Sequence, residues 1–455
     1  SEAFEIPVMI RPTTRVCHSR QGVSLGNVLP AVLPTTFAKD PQRWAATPRY
    51  RFTLHQQLNK KIAAITEQYG KETFTKILGE PGASLCILAS GVALAHTYDL
   101  LKELHLEGRI ALYQVKMPYP LNARWILEEI DPFAQVLVIE ETDPVIEMQL
   151  ARSDRIQGRM DGTIPAQGEL TPDVLLESIR AFARLPGENK TFAEARGRRP
   201  TLCPGCSHRA AFYAIKKALP EAIYPSDIGC YTLGLNLGAV DTCLCMGGAI
   251  SQAAGFYHAF RLKGETPPIV ATIGDSTFYH AGIPALVNAV HQGARFILVI
   301  LDNSTTAMTG NQPTPGLPLL ADGRQGKGVA LEDLVRGSGV QYLKIIDPYA
   351  LEEMIRLMKE ADQTIRSAAG GVAVIIARHP CLLSTDQAGK GKTYRMAITA
   401  NCIGCGICVE EFECPAIEMD KDANVARMDP ALCSGCGVCV EVCPQQAIST
   451  VKSDG

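Results

Sequence analysis

Short apolar runs alternate with longer amphipathic stretches over much of the 455-residue chain, the pattern that strands and helices leave in an α/β sheet. Residues 84–89, 109–116 and 135–140 are apolar and predict strands, with helices at 92–104 and 123–130 between them. Further on, 208–219 predicts a helix, and 267–273 reads as a buried strand ending at Gly-Asp-Ser. Ile283, Leu286, Val287 and Val290 then recur at helical offsets and stop at Gly293. Residues 295–301 and 372–377 predict two more buried strands. At the amino end, 7–11 reads as a strand before a Thr13-Thr14-Arg15 turn, and Pro30, Pro34, Pro41 and Pro48 mark the following stretch as irregular. Polar linkers are expected at 185–200 and 384–392, and the only internal repeat is a pair of cysteine runs near the carboxyl end.

This divides the chain into 1–20, 21–75 (a linker), 76–190 (an α/β domain), 201–388 (a larger doubly wound α/β domain) and 393–455 (a cysteine-rich module). The chain opens Ser-Glu-Ala rather than with Met, and a strand-like segment follows at once. Residues 1–20 are therefore expected to be the end of a domain whose beginning is absent. With 46% hydrophobic and 20% charged residues, the chain can bury about three cores. A net charge of -3 gives no reason to expect nucleic acid as a partner. Apolar runs such as 296–301 are far too short to span a bilayer, and no targeting segment is visible, so the expectation is a cytoplasmic protein without a membrane partner.

The sixteen cysteines change the picture. Cys402, Cys405, Cys408 and Cys414 form one run, and Cys433, Cys436, Cys439 and Cys443 another, each ending before proline. C-x-x-C-x-x-C with a later Cys-Pro is the bacterial ferredoxin pattern, whose fourth cysteine ligates the other cluster. One 4Fe-4S cluster is thus expected on Cys402, Cys405, Cys408 and Cys443, and a second on Cys433, Cys436, Cys439 and Cys414. Gly404, Gly406, Gly435 and Gly437 let the backbone wrap and aim amides at sulfur. Zinc fits two such runs poorly. Cys408 and Cys414 are separated by five residues rather than three, which enlarges one loop without removing a ligand.

The stretch from Gly274 to Asn303 carries a second chemistry. A strand, crossover helix and parallel strand would bring Asp275 and Asn303 to one sheet edge, where open α/β sheets bind ligands. A carboxylate, an amide oxygen and the Thr305 carbonyl are hard donors suited to magnesium holding a diphosphate, as in a thiamine diphosphate site. The bland alternative is that Gly-Asp and Asp-Asn are ordinary strand-to-loop turns. Cys203-Pro-Gly-Cys206, Cys230 and Cys381 would also lie at loop edges of this sheet. They are expected to hold a third, proximal 4Fe-4S cluster, against the alternatives of a redox-active or zinc-binding C-x-x-C. Cys86 reads as core, Cys243 and Cys245 as packed or pocket-lining, and Cys17 has no ligand pattern.

Taken in order, Cys-Pro-Gly-Cys, Asp-Ile-Gly-Cys, Gly-Asp-Ser, Leu-Asp-Asn and Ala-Met-Thr-Gly-Asn-Gln-Pro-Thr-Pro-Gly resemble the 2-oxoacid:ferredoxin oxidoreductases. The nearest resemblance is to the indolepyruvate (arylpyruvate) ferredoxin oxidoreductase α-subunit family, through Pro-Val-Met-Ile-Arg-Pro-Thr-Thr-Arg at 7–15, Ile-Glu-Glu-Thr-Asp-Pro at 139–144 and the double cysteine run. It spans essentially the whole chain. The resemblance implies that 1–20 ends a truncated pyrimidine-binding domain, that 76–190 is transketolase C-terminal-like, that 201–388 binds the diphosphate side of thiamine diphosphate, and that 393–455 is a 2×4Fe-4S bacterial-ferredoxin-like α+β domain. It also supports Cys381 as the fourth proximal ligand.

The implied activity is oxidative decarboxylation of an aryl 2-oxoacid, with electrons leaving through 4Fe-4S clusters to ferredoxin and the acyl group passing to coenzyme A. Phenylglyoxylate and branched-chain 2-oxoacids are alternative substrates. A non-oxidative thiamine decarboxylase leaves the cysteines unexplained, and a pure electron-transfer subunit leaves Asp275 and Asn303 unexplained. The resemblance implies that Gly274 and Ser276 approach the diphosphate, that Thr309, Gly310 and Gln312 shape the loop over it, and that Arg11 faces the substrate carboxylate. Arg11 also reads as a surface ion-pair residue, and His208 either approaches the cofactor with Cys230 or is a structural helix-start histidine. A β subunit and an αβ or α2β2 assembly are expected.

Overall fold

The apolar runs become strands buried on both faces, as parallel sheets require. A computed structural model describes residues 1–27, 37–150, 153–186, 199–265, 267–384 and 394–452. It divides into Ser1–Ala195 and Arg196–Gly455. Among the described residues of the first unit, β1 (Phe74–Leu78), β2 (Leu85–Ala89), β3 (Ile110–Val115), β4 (Gln135–Ile139) and β5 (Ile156–Gln157) form one sheet in the order β1-β3-β2-β4-β5. β1 is antiparallel to β3 and the other neighbours are parallel. Ile87 and Ala89 share a core with helices Val92–Glu103 and Pro172–Phe182, while Cys86 and Leu88 pack on the opposite face with Ala123–Glu129 and Val145–Gln149.

The amino-terminal expectations need correction. Residues 7–11 form no strand; Val8, Met9 and Ile10 are exposed and no neighbouring chain pairs with them among the described residues. The Thr13-Thr14-Arg15 turn opens the short helix Thr14–His18, with Thr13 as its cap. The stretch expected to be linker contains the helix Arg51–Tyr69. All four prolines precede it, and Leu54, Leu58, Ile62 and Ile65 supply its helical spacing. The linkers expected at 185–200 and 384–392 lie largely outside the described residues.

In the second unit, among the described residues, β6 (Pro225–Ser226), β7 (Thr242–Cys243), β8 (Val270–Gly274), β9 (Ile297–Asp302), β10 (Tyr342–Ile346) and β11 (Ala373–Arg378) form a parallel sheet ordered β10-β11-β9-β8-β6-β7. Val299 and Leu301 pack with helices Ser207–Ala218 and Leu351–Arg366. Leu298 and Ile300 face Gly248–Leu262, Ile283–His291 and Leu331–Gly337. Helices on both faces make this a doubly wound sheet. Strand order reverses between β6 and β8, so the crevice at their carboxyl ends is where such sheets take ligands.

The carboxyl-terminal module pairs β12 (Tyr394–Ile398) with β15 (Ile448–Lys452), and β13 (Ile417–Asp420) with β14 (Val425–Met428), all antiparallel. Two short helices, Ile407–Glu410 and Val438–Val442, follow the C-x-x-C segments. Gly404 and Gly435 sit at φ 68° and 79°, and a Cβ on either would stand 2.1 or 2.3 Å from the backbone oxygen of Asn424 or Tyr394. Only glycine closes the loop there. Met396, Phe412 and Val442 of this module share one apolar core with Phe212 and Met354 of the sheet domain. The expected fold class, doubly wound α/β with a ferredoxin-like α+β module, is the one the chain adopts.

Candidate active site and cysteine clusters

The register of β8 and β9, Gly274 opposite Leu301, brings their carboxyl ends side by side. Asp275 opens the helical stretch after β8, and Asn303 follows Asp302 at the end of β9. Asp275, Asn303 and Thr305 are all buried. Ser304 takes a left-handed φ of 59°, and the Thr305 N–H donates back to Asn303 Oδ1 at 3.3 Å. Thr306 Oγ1 donates to Ser276 Oγ at 2.9 Å, tying the two strand ends together. Asp275 Oδ2 is buried without a partner among the described residues. Burial, and then the neighbouring Asp302, hold the Asp275 carboxyl well above the ordinary carboxylate range. A buried, unpartnered carboxylate oxygen at the strand edge that also carries Asn303 fits a hard divalent cation, whose charge would offset that desolvation.

Around these donors, Gly274 is small because the Tyr231 ring lies 2.5 Å from where its Cβ would stand. Thr309 and Gln312 bond each other twice, at 2.6 and 2.8 Å, in an exposed turn that contains Gly310 at φ 125°. Arg11 is exposed and donates to the Glu141 carbonyl, within the Ile-Glu-Glu-Thr-Asp-Pro segment.

Among the described residues no three cysteines, histidines or carboxylates stand together as a formed metal-ion site, but Cys203, Cys230 and Cys381 are near enough to act on one another's charge. Partial desolvation raises the thiols of Cys230 and of Cys203, although Cys203 reaches the surface; Cys381 raises both further, and Cys203 also acts on Cys230. Burial pushes Cys206 up to about 12, with Cys203 adding to the effect. Asn303 joins this group to the crevice. The Cys381 N–H donates to the Asn303 carbonyl at 3.0 Å. On the other side, Asn303 Nδ2 lies 3.4 Å from His208 Nε2, and burial pushes the His208 ring down to about 4, so it is neutral and accepts.

In the ferredoxin-like module the two cysteine runs cross over. Cys402, Cys405, Cys408 and Cys443 line one pocket; Cys414, Cys433, Cys436 and Cys439 line another. The Ala426 and Ala447 amides donate to Cys402 Sγ and Cys443 Sγ at 3.4 and 3.3 Å. The second cavity is also lined by Pro204 and Gly205, and the Gly205 amide bonds to Cys414. Apolar, sulfur-lined cavities with amide donors fit 4Fe-4S clusters.

Several residues escaped the sequence reading. Asp302 is buried beside Asp275 and pairs with Arg378 at 2.6 Å. Asp227 is fully buried and accepts from the Gly247 amide at 2.8 Å. Arg209 is buried in the helix Ser207–Ala218, which also carries His208, Lys216 and Lys217, so its charge alone did not mark it.

Residues 227–377 match the thiamine pyrophosphate enzyme C-terminal TPP-binding domain, and 426–449 match the 4Fe-4S binding domain. The indolepyruvate oxidoreductase subunit IorA of Methanothermobacter thermautotrophicus is 36% identical over 98% of this chain and 73% of its own length. The Archaeoglobus fulgidus IorA is 36% identical over 100% and 74%, and that of Thermococcus kodakarensis 35% over 99% and 74%.

The chain belongs to the indolepyruvate oxidoreductase IorA family.

In this IorA-family chain the TPP-binding match encloses Asp275 to Gln312, and the 4Fe-4S match encloses Cys433 to Cys443 but not the first cysteine run. The motifs that resemble the 2-oxoacid:ferredoxin oxidoreductases thus sit in a chain of that class. A solved 2-oxoglutarate:ferredoxin oxidoreductase from Magnetococcus marinus aligns with a TM-score of 0.35 and 19% identity over 43% of this chain and 69% of that one, a likeness too loose to argue from. Among the described residues no helix of the IorA-family chain is long and apolar enough to cross a membrane.

Proposed function

We propose that the chain is the thiamine-diphosphate-binding, electron-carrying subunit of an enzyme that oxidatively decarboxylates an aryl 2-oxoacid, indolepyruvate or a close relative. The acyl group goes to coenzyme A and the electrons to ferredoxin. The observation that carries this reading is the double attachment of Asn303, to His208 two residues beyond Cys206 and to the backbone of Cys381. A cofactor-binding edge and an electron exit thereby share one residue.

Thiamine diphosphate, when bound, supplies the carbanion chemistry, and the 4Fe-4S clusters supply one-electron steps. The chain's residues hold and orient. Asp275, the Asn303 amide oxygen and the Thr305 carbonyl would hold magnesium. Neutral His208 accepts from Asn303 Nδ2, which would leave Oδ1, already holding the Thr305 N–H, as the oxygen available to a cation. The amides at Gly274 and Ser276, where a helix begins, would meet the diphosphate, and the Thr309–Gln312 turn would cover it.

The proximal cluster takes Cys203, Cys206, Cys230 and Cys381; the outer two take Cys414, Cys433, Cys436 and Cys439, then Cys402, Cys405, Cys408 and Cys443. Domain bounds follow the sequence division, with the linker shortened to end before Arg51. A β subunit completes an αβ or α2β2 assembly in the cytoplasm. The test is a panel of indolepyruvate, phenylpyruvate, phenylglyoxylate and a branched-chain 2-oxoacid given to the anaerobically purified complex with coenzyme A and ferredoxin. The reading expects aryl acyl-CoA with stoichiometric ferredoxin reduction. Preference for the branched-chain acid would overturn the substrate, and aldehyde without ferredoxin reduction would overturn the reaction.

A further inference from the structure

Arg209 has no part in the chemistry above, yet it is 1% exposed. Its Nη1 donates to the carbonyls of Phe412, at 3.2 Å, and Glu413; its Nη2 donates to the carbonyls of Leu202 and Cys203, the latter at 3.4 Å. Those four carbonyls belong to two loops, one opening the Cys203–Cys206 segment and one leading into Cys414. All are neutral. Among the described residues no carboxylate lies within ion-pair reach of Arg209, and the Glu413 carboxylate pairs instead with Arg199. Nε has no partner among the described residues. A buried cation satisfied only by carbonyls is costly unless negative charge lies nearby. Burial lowers the Arg209 pKa, and Cys414, Cys206, Glu413 and Cys203 oppose it.

We infer that Arg209 is a charge-compensating residue between two electron sites, the one on Cys203, Cys206, Cys230 and Cys381 and the one on Cys414, Cys433, Cys436 and Cys439, and that it raises the reduction potential of both. The inference rests on the proposed assignment of those cysteines to 4Fe-4S clusters. Each site takes one electron originating in the oxidised substrate, no bond forms or breaks, and the site becomes one unit more negative. A fixed cation in a dry interior favours that reduced state far more than one in water does. The same guanidinium fork also fixes the spacing of the two loops, so charge and geometry must be separated by experiment.

The test is an anaerobic redox titration of the intact complex, followed by electron paramagnetic resonance, on the native protein, Arg209→Gln and Arg209→Lys. Charge compensation expects Arg209→Gln to keep its iron while the ratio of reduced to oxidised cluster at both flanking sites, at fixed potential, falls about tenfold, equivalent to 59 mV for a one-electron couple. The site on Cys402, Cys405, Cys408 and Cys443 moves less. Arg209→Lys, which keeps charge but not the fork, holds the ratio within about threefold of native. Unchanged ratios in an iron-replete Arg209→Gln overturn the inference, as does an Arg209→Lys shifted as far as Arg209→Gln. Should Arg209→Gln lose iron, Arg209→Lys decides by the same criterion. Native protein lacking the iron of a third cluster would instead defeat the cluster assignment itself, before any variant is compared.

Discussion

Asp275 illustrates how one buried side chain reports its ligand. Its Oδ2 lies unpartnered among the described residues beside a second acid, a position that either protonation or a bound cation would relieve. Asp275→Asn should therefore abolish the stabilisation that magnesium with thiamine diphosphate confers. At about 100 times Kd the native protein gains roughly 2.7 kcal/mol, and the variant close to none, as measured by thermal unfolding with and without both ligands. An undiminished gain would detach Asp275 from the metal. The cluster loops make a comparison between two glycines. Gly404 has a positive φ and no room for a Cβ, whereas Gly437, at φ 81°, faces open space. Gly404→Ala should cost more than about 1–3 kcal/mol, and Gly437→Ala only the strain of its backbone conformation, nearer 1. Urea unfolding followed by loss of the iron–sulfur absorbance reads the difference; equal costs would mean that the Asn424 backbone moves aside freely.

Among the elements, β9 matters most because it lies inside the sheet and ends at Asp302 and Asn303. Leu298 is fully buried on the face covered by Ile283–His291, so Leu298→Ala should cost about 2–5 kcal/mol in urea unfolding. A cost below 1 kcal/mol, with the fold intact, would show that the helices collapse into the gap. Strongly periodic elements such as β2, β4, β8 and β9 were legible in the sequence because burial on both faces demands unbroken apolar runs. β6 and β7 were not: each is two residues long, too short to carry a period. The helix Arg51–Tyr69 was hidden by prolines upstream, and it buries only Ile65. After Asp275 the chain is already helical, with a π-helical turn at Phe278–Gly282 before the regular Ile283–His291, so periodicity located only the later part. At the candidate site, residue types and order marked Asp275, Asn303 and the cysteines. Arg209 and Asp302 were not legible as site residues, since their meaning lies in carbonyls and carboxylates distant in sequence.

At the scale of the molecule, the second unit joins the sheet domain and the ferredoxin-like module through one apolar core. Gly205, between two proximal cysteines, bonds to Cys414 of the module and accepts a hydrogen bond from the Tyr349 hydroxyl. The proposed relay runs from the crevice through Cys381, whose N–H donates to the Asn303 carbonyl, and Cys206 to Cys414. On the proposed reading it would couple carbon chemistry to electron departure, and that coupling can be observed directly. The intact complex, loaded with thiamine diphosphate and magnesium, is mixed anaerobically with indolepyruvate and coenzyme A without external reductant, and the iron–sulfur absorbance and electron paramagnetic resonance are followed. Coupled oxidation predicts bleaching of the absorbance and the appearance of reduced-cluster signals that require the 2-oxoacid. Clusters that stay oxidised while the substrate is consumed would contradict it.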